Sequence, residues 1–459
     1  MIQLDPTLTA AALRPDLERM FALSGQKIDA LHRRWNPADG TPVFTMAGRY
    51  ASRGWTEWTQ GFQFGSALLQ FTATGEAGML TIGRTGTQRH MATHVSHIGV
   101  HDHGFNNVST YGTLLHLAEA GHFACDDGER QFYRLALKVS GAVQAARWTS
   151  LPGGAGYIYS FNGPHSLFAD TIRSLRVLAL AHRLGHCLMG EHDERISLLA
   201  RLVAHADATA RYNVYFGTGR DFSDVPGRGA HESIFNLNDG TYRCPSSQQG
   251  YSPFTTWTRG LAWILCGFAE ELPFLAETPD SDFATLGGKS AIIERFLATA
   301  RATADFYLAY TPLDGVPYWD TGAPGLSRLG DYLERPADPF NGLEPVDSSA
   351  AAIAAQGLIR LALFLASRGE NEPAQRYLSA GLVTARTLLR EPYLSVSPDH
   401  EGLLLHSVYH RPNGWDYVPP GHAIPCGEAC LWGDYHLREL ALLLLTLGTG
   451  PRPYSFLGF

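Results

Sequence analysis

The chain has 459 residues, 45% hydrophobic and 17% charged, and 36 Lys+Arg against 44 Asp+Glu give a formal net charge of −8. This is globular composition, long enough to bury a large core, and the acidic balance argues against nucleic acid and anionic membranes, which ask for basic patches. Six scattered cysteines without a CxxC pair argue against structural zinc. With no leader-like N-terminus and no apolar run of membrane-spanning length, they point to a cytoplasmic protein with reduced thiols.

Taken in chain order, apolar spacing predicts two alternating kinds of helix. Residues 9–34 carry a charged stripe, whereas 58–74 ("WTQGFQFGSALLQFTAT") are apolar nearly all round and stop at Gly75. The pattern repeats: amphipathic 76–97, then apolar 104–120 stopping at Gly121; amphipathic 128–147, then apolar 170–184 stopping at Gly185. Next come amphipathic 191–213, apolar 257–272 stopping at Pro273, amphipathic 287–310, apolar 347–368 stopping at Gly369, amphipathic 371–391 and apolar 432–447 stopping at Gly448. Glycine past a helix end accepts the left-handed backbone that terminates it. Helices apolar all round belong inside, and those with a charged stripe belong outside.

Six such hairpins predict an all-α fold, an (α/α)6 barrel of alternating inner and outer helices. The whole chain, 1–459, reads as one catalytic domain, with long excursions near 214–256 and 311–346. Loops of that length in a compact domain are usually functional. Because the inner helices run the same way, their N-terminal openings ring one mouth. Asp102, Asp170, Asp347, Trp58, Trp257 and Trp432 gather there from distant parts of the chain.

Asp102 and Asp170 form the candidate carboxylate pair, since work on a glycosidic bond needs a proton donor and a second carboxylate. The bland alternative for each is a helix N-cap. A proton donor also needs burial to outweigh the pKa-lowering helix N-terminus. His101 and His103 flank Asp102 in "VHDHGFNN", but no HExxH or third ligand accompanies them. Their alternate positions should point apart. The stretch 246–263, "SSQQGYSPFTTWTRGLAW", is the densest polar and aromatic segment. Arg259 within it is matched either to a buried anionic ligand or to a structural ion pair. Aromatic rings among polar groups suit hydroxylated ligands such as sugars.

Ordered segments then resemble one family, the unsaturated glucuronyl hydrolases (glycoside hydrolase family 88). They are "WTQGF" at 58–62, "HDHGF" at 101–105, "FADTIRSL" at 168–175, "QGYSPFTTWTRGLAW" at 249–263, "VPYWD" at 316–320, "DSSAAAIAAQGL" at 347–358, "LLHSVYHRPNGWD" at 404–416 and "LWGDY" at 431–435. The resemblance implies removal of a 4,5-unsaturated uronic acid from the non-reducing end of lyase-generated oligosaccharides by hydration of its vinyl ether. It implies Asp170 as general acid/base, Asp102 as its assisting carboxylate, and Trp58, His231, Gln249, Trp257, Arg259 and Trp263 as sugar-pocket residues. No metal and no organic cofactor are implied. The expected partner is an unsaturated uronate-containing oligosaccharide, handled by a monomer or small homo-oligomer.

The chain departs from the family pattern at Gln60, Gln248 and Thr171-Ile172-Arg173, and it adds a loop near 325–344. The expectation is that Arg173 sits near Asp170 and alters substrate preference. Alternatives are a glycosidase acting on saturated uronides with the same two Asp residues, a sugar epimerase built on His101 and His231, and an inactive carbohydrate-binding barrel.

Overall fold

The computed structural model describes residues 1–54 and 57–449. Its principal helices are α1 (Arg14–Arg34), α2 (Gln60–Thr74), α3 (Ala77–His90), α4 (π-helical Gly104–Gly112 continuing as Thr113–Glu119) and α5 (Asp127–Ala146). Then follow α6 (Thr171–Ser174 and Arg176–Arg183), α7 (Leu198–Tyr212), α8 (Thr258–Glu277) and α9 (Lys289–Ala309). The series ends with α10 (Ser348–Ser367), α11 (Asn371–Leu388) and α12 (Leu431–Gly448).

The even-numbered helices form a closed ring: α2 packs on α4, α4 on α6, α6 on α8, α8 on α10, α10 on α12 and α12 back on α2. The odd-numbered helices pack outside their hairpin partners. This is the (α/α)6 barrel. The inner helix α10 is long and apolar enough to cross a membrane, but 89% of its most apolar stretch is buried inside the barrel.

Two boundaries and one winding differ from the sequence reading, each for a local reason. Pro273 does not stop α8; the helix carries it and runs on to Glu277. The α7 segment starts only at Leu198, where Ser197 caps it, and residues 188–196 form a short hairpin instead. The inner helix after Asp102 opens with π-helical winding, a rarity common at functional sites. There Gly104 packs so close to α6 that a Cβ would lie 2.0 Å from the Ser174 carbonyl oxygen.

Arg173 corrects the sequence reading. It is fully buried and points away from Asp170 into the barrel, where it pairs with Glu270 at 3.0 Å and Glu439 at 2.9 Å. Arg176 meets the same two carboxylates at 3.3 and 3.4 Å. Glu270 comes from α8 and Glu439 from α12, so this charge layer ties three inner helices together.

Candidate active site

Residues just before five inner helices line one cavity of about 390 Å³. Trp58 comes from the entry to α2, His101 and Asp102 from that to α4, and Asp170 from that to α6. Gln248, Gln249 and Trp257 precede α8, and Tyr409, His410 and Trp415 come from the segment before α12. Neither carboxylate caps a helix with its side chain: Asp170 stands at the N-cap position of α6 but makes no capping hydrogen bond, and the residue before α4 is His103, not Asp102.

Short strands set the position of Asp170. Ser166–Phe168 pairs antiparallel with Glu232–Phe235, with Phe168 opposite Glu232, and the Ala169 N–H donates to the His231 carbonyl. His231 therefore lies beside Asp170, its Nε2 3.9 Å from Asp170 Oδ1. The backbone N–H groups of Gln248 and Gln249 donate to His231 Nδ1 at 3.0 and 3.2 Å. That fixes the neutral tautomer with its proton on Nε2, toward Asp170. Burial depresses the His231 pKa to about 4, which keeps the ring neutral.

His101 joins the two carboxylates. Its Nε2 lies 3.0 Å from Asp170 Oδ2 and 3.6 Å from Asp102 Oδ1. Burial disfavours its cation, but the Asp102 and Asp170 charges outweigh burial and raise its pKa. Burial pushes the Asp102 carboxyl up to about 6 against the pull of His101. At Asp170 burial also acts upward, yet the hydrogen bond and charge of His101 prevail and its pKa is lowered. Burial therefore wins at Asp102 and not at Asp170, the reverse of what a lone proton donor would need. The two carboxylates thus favour the His101 cation, and its Nε2 lies one hydrogen bond from Asp170.

The two histidines of "HDH" do point apart. His103 turns into the wall, where Ser140 Oγ meets Nδ1 at 2.9 Å and the His97 carbonyl meets Nε2 at 2.9 Å. One ligand atom each from His101, Asp102 and Asp170 lies within 4.8 Å of the others, so these three residues could close on a cation. His101 Nδ1 has no hydrogen-bond partner among the described residues, and Nε2 already meets Asp170. This donor arrangement fits a shared proton.

Arg259 makes the ion pair and also lines the cavity. Its Nη1 lies 2.7 Å from Asp347 Oδ2 and donates to the Val408 carbonyl; Nη2 donates to Gln249 Oε1 at 2.9 Å and to the Tyr409 carbonyl at 2.7 Å. The guanidinium lies against the rings of Trp257 and Trp432. It borders the cavity but acts as a brace, holding Gln249 and the 408–409 segment. Trp257 and Trp263 are buried in the aromatic wall, and Trp58 is half-buried, its ring centroid 5.0 Å from that of Trp432.

Among the departures, Gln248 lines the cavity, whereas Gln60 accepts at 2.8 Å from His94. Of the two long excursions, 214–256 supplies Gln248 and Gln249 to the cavity wall, and none of 311–346 lines it. The second excursion acts indirectly, Asp320 accepting from the Tyr251 N–H at 2.8 Å. Sequence reasoning assigned no role to Phe161, Phe168, Tyr409, His410, Asn413 or Trp415, which complete the wall. The quoted "YHRPNGWD" was the available signal for the last four.

A ring of six helical hairpins, with two buried carboxylates joined by one imidazole at its aromatic mouth, defines a carbohydrate-active (α/α)6 barrel. No protein-family model matches the chain. An unsaturated glucuronyl hydrolase of Bacillus sp. (strain GL1) is 28% identical over 413 residues, 88% of this chain and 89% of that protein. An unsaturated chondroitin disaccharide hydrolase of Streptococcus pyogenes serotype M1 is 25% identical over 411 residues, 88% of this chain and 84% of its own. The crystal structure of an unsaturated glucuronyl hydrolase from Bacillus sp. GL1 superposes with a TM-score of 0.67 at 23% identity, covering 94% of this chain and 96% of the other. The chain is thus similar over most of its length to unsaturated glucuronyl hydrolases, in sequence and in fold.

Proposed function

We propose that the protein is a glycoside hydrolase that removes a 4,5-unsaturated uronic acid from the non-reducing end of lyase-generated oligosaccharides. The observation that carries this reading is the carboxylate pair held by one imidazole, with Asp102 and Asp170 oxygens within 4.8 Å of each other. An inverting glycosidase separates its carboxyl groups by roughly 6.5–9.5 Å to admit water between them, and a retaining one by roughly 5–5.5 Å so that one of them attacks the sugar. A pair this close, sharing a proton through His101, is suited to placing and recovering one proton on one face of a double bond.

In this mechanism His101 passes its proton to Asp170 along their 3.0 Å contact. Asp170 protonates C4 of the vinyl ether, and Asp102 offsets the charge that moves across the imidazole. Water adds to C5 and returns its proton to the carboxylate. The C5 hemiketal opens by breaking its ring C–O bond, leaving a hemiacetal at C1 whose collapse releases the rest of the chain. Trp58 offers the accessible aromatic face to the sugar. Gln249, its amide oxygen taken by Arg259, offers its nitrogen, and Trp257, Trp263 and Arg259 keep the pocket in shape.

The whole chain is proposed to work as one catalytic unit, as a monomer or small homo-oligomer. A cytoplasmic location agrees with six free cysteines. The test is a panel of lyase-generated unsaturated disaccharides beside a saturated aryl glucuronide. Loss of the C4=C5 absorbance with no action on the saturated glycoside is expected. The opposite pattern would make the protein an ordinary uronide glycosidase.

A further inference from the structure

Arg147 follows the last residue of α5 and is buried. Its hydrogen bonds among the described residues all go to backbone carbonyls: Nη1 donates to Ile98, Nη2 to Ser160 at 2.8 Å and Nε to Tyr159 at 3.3 Å. The Tyr159 N–H donates back to the Arg147 carbonyl at 3.0 Å, and the guanidinium lies over the Tyr159 ring, 4.3 Å from its centroid. One side chain thus joins two segments distant in sequence. Both line the cavity, one through His97, Gly99 and Val100, the other through Phe161. His101 lies where they meet, its ring stacked on Phe161 with centroids 6.1 Å and planes 12° apart. Just before the end of α5, Gln144 Nε2 donates to the His101 carbonyl at 2.8 Å, so the same helix end also holds the His101 backbone. A buried guanidinium with no carboxylate bonded to it is costly, and an apolar side chain would fill the space at less cost. A rigid fork that spans the carbonyls of two loops does what no apolar side chain can.

We propose that Arg147 is a positioning residue for the acid site: by clamping the 97–101 segment to the 159–161 turn, it holds the His101 ring flat against Phe161 with Nε2 turned to Asp170. Arg147 itself does not line the cavity, so its influence passes through His101. The Asp170 side of the 3.0 Å contact is set separately, by the pairing of Ser166–Phe168 with Glu232–Phe235. Without the clamp, the His101 side can move while the Asp170 side stays in place. Asp102 follows His101 directly and moves with it. The Arg147 charge also acts against the His101 cation and for the Asp102 anion. The kinetic consequence rests on the hydration reading, whereas the clamp itself does not.

The experiment compares Arg147→Lys, which keeps the charge but not the fork, with Arg147→Met, which keeps neither. On an unsaturated disaccharide, kcat of folded Arg147→Met should fall about 10²-fold, the cost of misplacing a reacting group by about 1 Å, with KM close to wild type. Arg147→Lys, whose single ammonium cannot span both loops as the fork does, should fall between Arg147→Met and wild type. Independently of any substrate, the His101 imidazole nitrogen resonances, assigned with His101→Gln, should shift in both variants. Arg147→Lys retains the charge, so a shift there reports the seat of the ring, and this variant carries both readouts if Arg147→Met does not fold. Unchanged His101 resonances in folded Arg147→Lys would overturn the proposal. So would full kcat in Arg147→Lys, a loss of kcat that tracks only the unfolded fraction, or a raised KM at full kcat. If wild type acts on no unsaturated substrate, the functional reading falls, while the resonances still decide the role of Arg147.

Discussion

Asp102 couples chemistry to stability at the scale of one side chain. Its carboxyl titrates near 6 in the folded chain against 3.8 as the ordinary value. Between those values the native state holds a proton that the unfolded chain has released. Its contribution to stability is therefore full below about pH 4 and is lost as the pH rises through 6. Asp102→Asn should melt higher than wild type at pH 7, by up to about 3 kcal/mol, with the gain fading at pH 4, while turnover falls. Thermal melts of both proteins at the two pH values check this; a gain equal at both would contradict the origin given for the shift. Asp102 and Asp170 were legible in the sequence as acids beside inner-helix entries. The role of His101 was not, because its value depends on Asp170, 69 residues away, and on which way each ring of "HDH" turns.

The inner helices were legible as elements because glycine follows four of the six predicted ends at a left-handed backbone angle: Gly75, Gly121, Gly185 and Gly369. Pro273 misled because proline removes only one hydrogen bond from a helix that tertiary packing holds on every side. The close approach at Gly104 could not be read from local pattern, since the Ser174 oxygen that excludes a Cβ lies on another helix. Gly104→Ala should cost about 1–3 kcal/mol through overpacking. It should also lower kcat of the folded fraction, because pushing α4 from α6 separates Asp102 and His101 from Asp170. Denaturant melts with active-site-normalised kinetics measure both; a loss of stability with full kcat would contradict the coupling.

Across the whole molecule, the barrel separates a reactive mouth from a charged interior. The Arg173–Glu270–Glu439 layer binds three inner helices and takes no part in the cavity. The sequence puts Arg173 near Asp170 because only two residues separate them, but Arg173 lies inside α6 and its side chain turns inward to Glu270 and Glu439. Arg173→Met should destabilise by about 3–5 kcal/mol, since it leaves two buried carboxylates to the single guanidinium of Arg176, with substrate preference of the folded fraction unchanged. A changed preference on the disaccharide panel, at unchanged stability, would return Arg173 to the site.

The central claim is that one proton, held by His101 between two carboxylates, is delivered to a double bond. Turnover of an unsaturated disaccharide in deuterated water tests it most directly, with wild type and Asp170→Asn side by side. Wild type should yield a released uronic acid carrying one carbon-bound deuterium at C4, and Asp170→Asn should bind the substrate but slow its turnover by about 10²–10⁴-fold, the usual worth of a positioned acid. Release of the sugar with no deuterium at C4, or equal rates for the two proteins, would contradict the account.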